Sequence, residues 1–199
     1  MQKSINKIVR NVSFLTLFLF GSLFLHAGNL EIDKSHSQVG FSIKHLMISN
    51  VKGKFNDYSG EIDFDLNKKA FTKFNATVQA TSIYTGIKKR DNHLRSADFF
   101  NVNKFPVITY KMNSYLNDGD EGTLNGELTI NNVTKPVKLN VEYNGMVKDP
   151  WGKTKVGFTI TGKINRKDFG LTWNKALEAG GVVVGDRVKI LIELQALVK

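Results

Sequence analysis

No cysteine occurs in this chain of 199 residues. That one absence excludes a disulfide, acylation on cysteine, a cysteine nucleophile and a zinc–thiolate site. Staples are in any case dispensable here, since a domain of about 170 residues buries roughly 70% of its unfolded surface. Acidic residues are also scarce: 18 Asp and Glu stand against 28 Lys and Arg, for a formal charge of +10. The lysines are scattered, and no helix-turn-helix or other reading motif accompanies them, so no nucleic-acid partner is expected. A basic surface that is merely solvated explains the charge as well as a partner does. If it has a partner, transient contact with an anionic membrane surface suits it. Missing too are a Gly-x-Ser-x-Gly elbow, internal repeats and low-complexity linkers.

Nor is there an uncharged run long enough for an ordinary membrane span of ~20 residues. Val12 to Leu25 (VSFLTLFLFGSLFL) is shorter, follows Lys3, Lys7 and Arg10, and reads as the apolar region of a secretory signal. Ala27 supplies a small residue for cleavage, although Leu25 fits the small-x-small pattern poorly. The expected organisation is a signal peptide over residues 1–27 and one domain over 28–199, with an uncleaved anchor as the alternative. Removing the leader takes three positive charges away and leaves the domain near +7.

From residue 30 onward apolar residues recur with period two. Val39, Phe41 and Ile43 alternate, as do Ile62, Phe64 and Leu66, and then Phe74, Ala76 and Val78. Val107–Met112, Leu124–Ile130, Val137–Tyr143, Val156–Ile164 and Val188–Ala196 continue the pattern, and Val51–Asn56 adds a further strand. Asn117-Asp118-Gly119, Asn131-Asn132, Asn144-Gly145 and Asp149-Pro150 fall between runs as turns. Half-apolar strands with local turns indicate an antiparallel meander. An all-β fold follows: a single antiparallel up-and-down barrel of about eight strands, with a short helical insertion near residues 86–98. A barrel of that size is either filled by side chains or holds one small ligand. Composition alone does not choose between them.

Three blocks in order carry a resemblance. The first runs from Ile32-Asp33-Lys34-Ser35-His36-Ser37 through Phe41 to Leu46, with Gly53 and Phe55. The second is Arg90-Asp91-Asn92-His93-Leu94-Arg95-Ser96, Asp98-Phe99-Phe100 and Phe105-Pro106. The third runs from Leu128-Thr129-Ile130 and Val133–Val137 through Asp149-Pro150-Trp151-Gly152 to Asn165–Gly170. Together they resemble the YceI-like family of periplasmic polyisoprenoid-binding proteins, over essentially residues 30–198. The resemblance implies a lipocalin-like extended barrel, periplasmic export and an apolar tunnel that holds an isoprenoid, quinone or fatty acyl chain. It implies no catalytic residues, no metal and no cofactor beyond the bound lipid. A homodimer is left open.

The tunnel-lining candidates are Phe41, Ile43, Phe64, Phe74, Val78, Ile108 and Leu128; each could equally be ordinary core. Burying ten methylenes at ~0.8 kcal/mol each yields about 8 kcal/mol before ordering costs, roughly micromolar affinity. The rival is a metal- or haem-dependent enzyme using His36, His45 and His93. The spacing of His36 and His45 matches no common ligand spacing, and Asp33, Ser35 and His36 lie too close in sequence for a triad. Trp151 is expected to cap the core from a hairpin.

The insertion IKKRDNHLRSADFF reads as a helix with Ile87, Leu94 and Ala97 on its apolar stripe. It would cover one barrel mouth, with Arg90, His93, Arg95 and Trp173 near a lipid headgroup. In the plainer alternative, Arg90 and Arg95 only pair with Asp91 and Asp98.

Overall fold

A computed structural model describes residues 28–177 and 180–199. The leader assigned to residues 1–27 lies outside them. Two single-turn 3-10 helices (Ala80–Ser82 and Arg166–Phe169) aside, the described chain is built of eleven strands and one helix. In order they are β1 (Gly28–Ile32), β2 (Gln38–His45), β3 (Ser49–Phe55), β4 (Tyr58–Asp65), β5 (Ala70–Gln79), β6 (Ile83–Tyr84), α1 (Lys88–Arg95), β7 (Val107–Asp118), β8 (Glu121–Ile130), β9 (Val133–Lys148), β10 (Thr154–Asn165) and β11 (Val184–Val198).

Every pairing between these strands is antiparallel, and β1 pairs with both β4 and β11. That double pairing closes β1, β4, β5, β7, β8, β9, β10 and β11 into an eight-stranded barrel, which leaves no sheet edge within the ring itself. The all-β barrel and its short helix are as the alternation implied.

β11 is shared lengthwise. Its C-terminal half pairs with β1 (Leu30↔Val198, Ile32↔Ala196), and its N-terminal half pairs with β2 (Ile43↔Val188, Gln38↔Glu193). The chain turns between β1 and β2 at residues 33–37, where Asp33 gathers the corner. Its carboxylate accepts from Ser35 N at 3.1 Å and Lys155 Nζ at 3.0 Å, and lies 2.9 Å from His36 Nδ1. The Lys155 hydrogen bond is the main reason the Asp33 carboxyl falls to about 2. From this corner β2, β3 and β6 continue the wall upward on one side, extending the barrel at that end.

Three turn assignments hold: β7–β8 reverses at Gly119 (φ 68°), β8–β9 at Asn131-Asn132 (φ 50° and 60°), and β9–β10 at Asp149–Gly152. Asn144-Gly145 is different. It is not a turn but a bulge inside the long β9, where the register against β10 slips and Gly145 takes φ 108°. Trp151, expected to cap the core, is 81% exposed at the tip of the β9–β10 turn. The helix also departs from expectation: Ile87 caps its N-terminus and is exposed, and Ala97 lies beyond its end, so Leu94 alone packs on the core.

Candidate ligand-binding cavity

The barrel interior divides into a filled end and a hollow end. At the filled end Phe64, Phe71 and Phe158 meet with ring centroids 4.8–4.9 Å apart. Tyr143 stacks on Phe64 at 5.6 Å and Tyr115 meets Phe71 edge-on at 5.4 Å. Phe64 therefore belongs to this plug and does not reach the cavity, which corrects its assignment as a lining residue. Alternation placed it inward correctly; its height along the barrel decided the rest.

Above the plug lies a cavity of about 550 Å³, within the range of small-molecule sites. Phe41, Ile43, Phe74, Val78, Ile108 and Leu128 all line it, joined by Ile62, Ile130, Leu139, Ile190 and Ile192. Gly53 on β3 lets the Phe41 ring lie across the strand, because any Cβ there would overlap the ring. Tyr110 is a buried polar group in the wall. Its hydroxyl donates toward Leu124 O (3.1 Å) and Val137 O (3.2 Å), and desolvation pushes its pKa to about 12. It is thus a neutral, satisfied part of an apolar wall.

The hollow end is roofed by α1 and by the segment after β10. His93 meets Trp173 edge-on at 4.8 Å and Phe99 at 5.1 Å, and its Nε2 lies 2.9 Å from Asp98 Oδ2. Arg90, His93 and Trp173 line the cavity; Arg95 does not. Arg95 instead donates to Thr81 O (2.7 Å), Ile83 O (2.6 Å) and Asn92 Oδ1 (3.2 Å), which ties α1 to the turn after β5 and to β6. Arg90 donates through Nε to Thr85 Oγ1 (2.7 Å) and through Nη2 to Thr85 O (2.8 Å), so its Nη1 has no protein acceptor among the described residues. Neither arginine pairs with Asp91 or Asp98. Asp91 is buried and accepts from Thr85 N–H and its hydroxyl.

Arg166 is the residue that sequence reasoning passed over. It is only 2% exposed, lines the cavity and follows directly on β10. Its guanidinium donates to Gly185 O (2.9 Å), to Leu171 O and to Trp173 O (2.9 Å), with Val184 O and Asp186 Oδ1 at 3.4 Å. Burial lowers its pKa from the ordinary arginine value, yet the ring of acceptors keeps the buried cation fully bonded. It pins both ends of the segment that carries Trp173 over the cavity. The only signal was a basic residue at a strand end, which ordinarily reads as solvent-exposed.

The histidines of the rival reading are dispersed. His36 sits at the Asp33 corner, His45 ends β2 and His93 lies on α1. No group of three or more His, Asp or Glu suited to a metal occurs among the described residues.

A closed eight-stranded antiparallel barrel, plugged by aromatics at one end and enclosing an apolar cavity at the other, defines the class: a β-barrel with an internal cavity of ligand size. The chain belongs to the YceI-like family, whose domain model matches residues 30–196. A UPF0312 protein of Staphylococcus aureus is 41% identical over 162 residues, covering 81% of this chain and 92% of that protein. The crystal structure of a Campylobacter jejuni YceI protein is 42% identical with a TM-score of 0.69, over 85% of this chain and 97% of the other. A Saccharophagus degradans domain described as polyisoprenoid-binding shares the fold with a TM-score of 0.58 at 16% identity, over 87% and 99% of the two chains.

Proposed function

We propose that this protein is exported to the periplasm and holds one long-chain lipophilic molecule, such as a polyisoprenoid, quinone or fatty acyl derivative, inside its barrel for transport, storage or sequestration. The observation that carries the reading is the cavity of about 550 Å³, walled by Phe41, Phe74, Val78, Ile108, Leu128 and their neighbours within a closed barrel. Family membership supports it, and the polyisoprenoid-binding description of the Saccharophagus degradans domain suggests the ligand class. Binding rather than catalysis fits a site whose buried polar groups, Tyr110 and Arg166, are bonded mainly to the protein's own carbonyls. Ten methylenes transferred from water supply about 8 kcal/mol, enough for micromolar retention without a precise hydrogen-bond pattern.

Native mass spectrometry of protein isolated without detergent tests the reading. A co-purifying lipid is expected, and Val78→Trp, which puts an indole into the cavity, should abolish it while the barrel stays folded. A bare mass, with no lipid taken up on addition, refutes the proposal.

A further inference from the structure

The turn joining β2 to β3 is built of Leu46, Met47 and Ile48, which are 37%, 53% and 83% exposed. Leu46 and Met47 take φ values of 49° and 61°, a left-handed conformation that is unfavourable for residues with a large side chain. Elsewhere the same protein meets this demand mostly with asparagine and glycine, as at Asn101, Asn131-Asn132 and Gly119, which adopt it readily, and once with the charged Lys69 (φ 49°). Large apolar side chains have been put where asparagine or glycine would make the turn more easily. The tip is also braced: Leu46 N–H donates to Val183 O at 2.9 Å, and Met47 lies beside Gly181.

This tip stands at the hollow end. Lys44 and His45, just before it, line the cavity together with Ile87, Lys89 and Arg90 from the start of α1, and Ile87 is itself 53% exposed. The two chain segments that flank that opening, residues 34–56 and 83–90, carry charge of one sign. Residues 34–56 include Lys44, Lys52 and Lys54 but no Asp or Glu, and residues 83–90 include Lys88, Lys89 and Arg90 and again no acid. Of the acids at this end, Asp91 is buried beneath Thr85, Asp98 lies 2.9 Å from His93 Nε2, and Asp186 on β11 is engaged by Lys167 at 2.9 Å. The turns at the plugged end instead mix both signs, Asp65, Asp118, Asp120 and Asp149 lying among Lys68, Lys69, Lys148 and Lys153.

We infer that the barrel docks by its open end on an anionic phospholipid surface, inserting Leu46, Met47 and Ile48 while Lys44, Lys52, Lys88 and Lys89 face the headgroups. An apolar tip within a cationic collar is complementary to that surface in both layers. A second copy is a poorer fit, because a two-fold contact through the tip would bring two cationic collars together. Docking stands on the outer surface and holds whether or not the cavity carries a lipid, so vesicle binding and lipid uptake fail separately.

The test is flotation of residues 28–199, within which the barrel closes, with phosphatidylcholine vesicles that contain or lack phosphatidylglycerol. Binding to the anionic vesicles alone is expected, weakening as salt rises. With each surface cation worth about five-fold in partitioning, Lys88→Ala/Lys89→Ala should lower it roughly 25-fold. Met47→Ser/Ile48→Ser should also reduce it more than ten-fold, roughly, by removing two apolar anchors. Lys148→Ala/Lys153→Ala, which takes the same charge from the plugged end, should leave it unchanged. Absence of binding, equal binding to neutral vesicles, or equal loss from the plugged-end variant overturns the proposal. So does a solution dimer that Met47→Ser/Ile48→Ser dissociates without changing vesicle binding. All substituted side chains are exposed, and thermal melting confirms that each variant remains folded.

Discussion

The two ends of the barrel obey the same alternation and come out opposite. At one end Phe64, Phe71 and Phe158 interlock with Tyr115 and Tyr143. At the other, Phe41, Val78, Ile108 and Leu128 face one another across about 550 Å³. Equally apolar residues thus do two jobs. The plug gives stability through close contact, and the hollow end forgoes that contact to keep space for a guest.

The largest expected effect breaks this contrast directly. Phe158→Ala removes the centre of the plug and should cost about 3–5 kcal/mol, whereas Ile108→Ala enlarges a space that is already open and should cost about 1–2 kcal/mol. Urea melts of the two variants should therefore separate clearly, and equal losses would show that the hollow end is as tightly packed as the plug. Next comes the roof. Arg166→Met fills the volume but leaves the carbonyls of Leu171, Trp173 and Gly185 without their donor. A loss of about 2–4 kcal/mol is expected, together with faster amide exchange across the segment from Leu171 to Gly185.

Smaller is the contrast between the two helix arginines. Arg95→Gln, which releases the Thr81 and Ile83 carbonyls, should lower stability by about 1–2 kcal/mol. Arg90→Gln should instead weaken a charged-head lipid more than a neutral one, by roughly ten-fold, since Arg90 alone of the pair lines the cavity. Parallel titrations with a fatty acid and its alcohol distinguish them.

The smallest effect is at the Asp33 corner. A carboxyl held at about 2 when folded and near ~3.9 when unfolded adds stability that is complete above pH ~4. That contribution is lost as pH falls toward 2. The carboxylate is near the surface, so about 1 kcal/mol is expected. Asp33→Asn should flatten the stability profile between pH 4 and pH 2, and an unchanged acid slope would assign that stability to other carboxylates.

How much of this was legible in the chain differs residue by residue. Six of the seven expected lining residues do line the cavity, because a strand's period of two tells which side chains point inward. Phe64 missed because Phe158 and Tyr143, which close around it and its hairpin partner Phe71, arrive from strands distant in sequence. Asn144-Gly145 has the composition of a turn, yet continuous pairing of β9 with β10 on either side overrides that local preference and makes it a bulge. Arg95 and Arg166 are basic residues whose partners are backbone carbonyls, and no side-chain pattern announces a carbonyl.

The sequence by itself determined nine of the eleven strands, all but β1 and β6, together with most of the turns, the direction of their apolar faces and the cationic character of the insertion. These are local properties, set by backbone geometry and the periodicity of side chains. The tertiary structure alone decided where the barrel is solid and where it is hollow, and which arginine roofs it or merely fastens the roof. It also showed that the β2–β3 tip stands beside the opening. Those depend on volumes and acceptors that meet only when the sheet closes through β1.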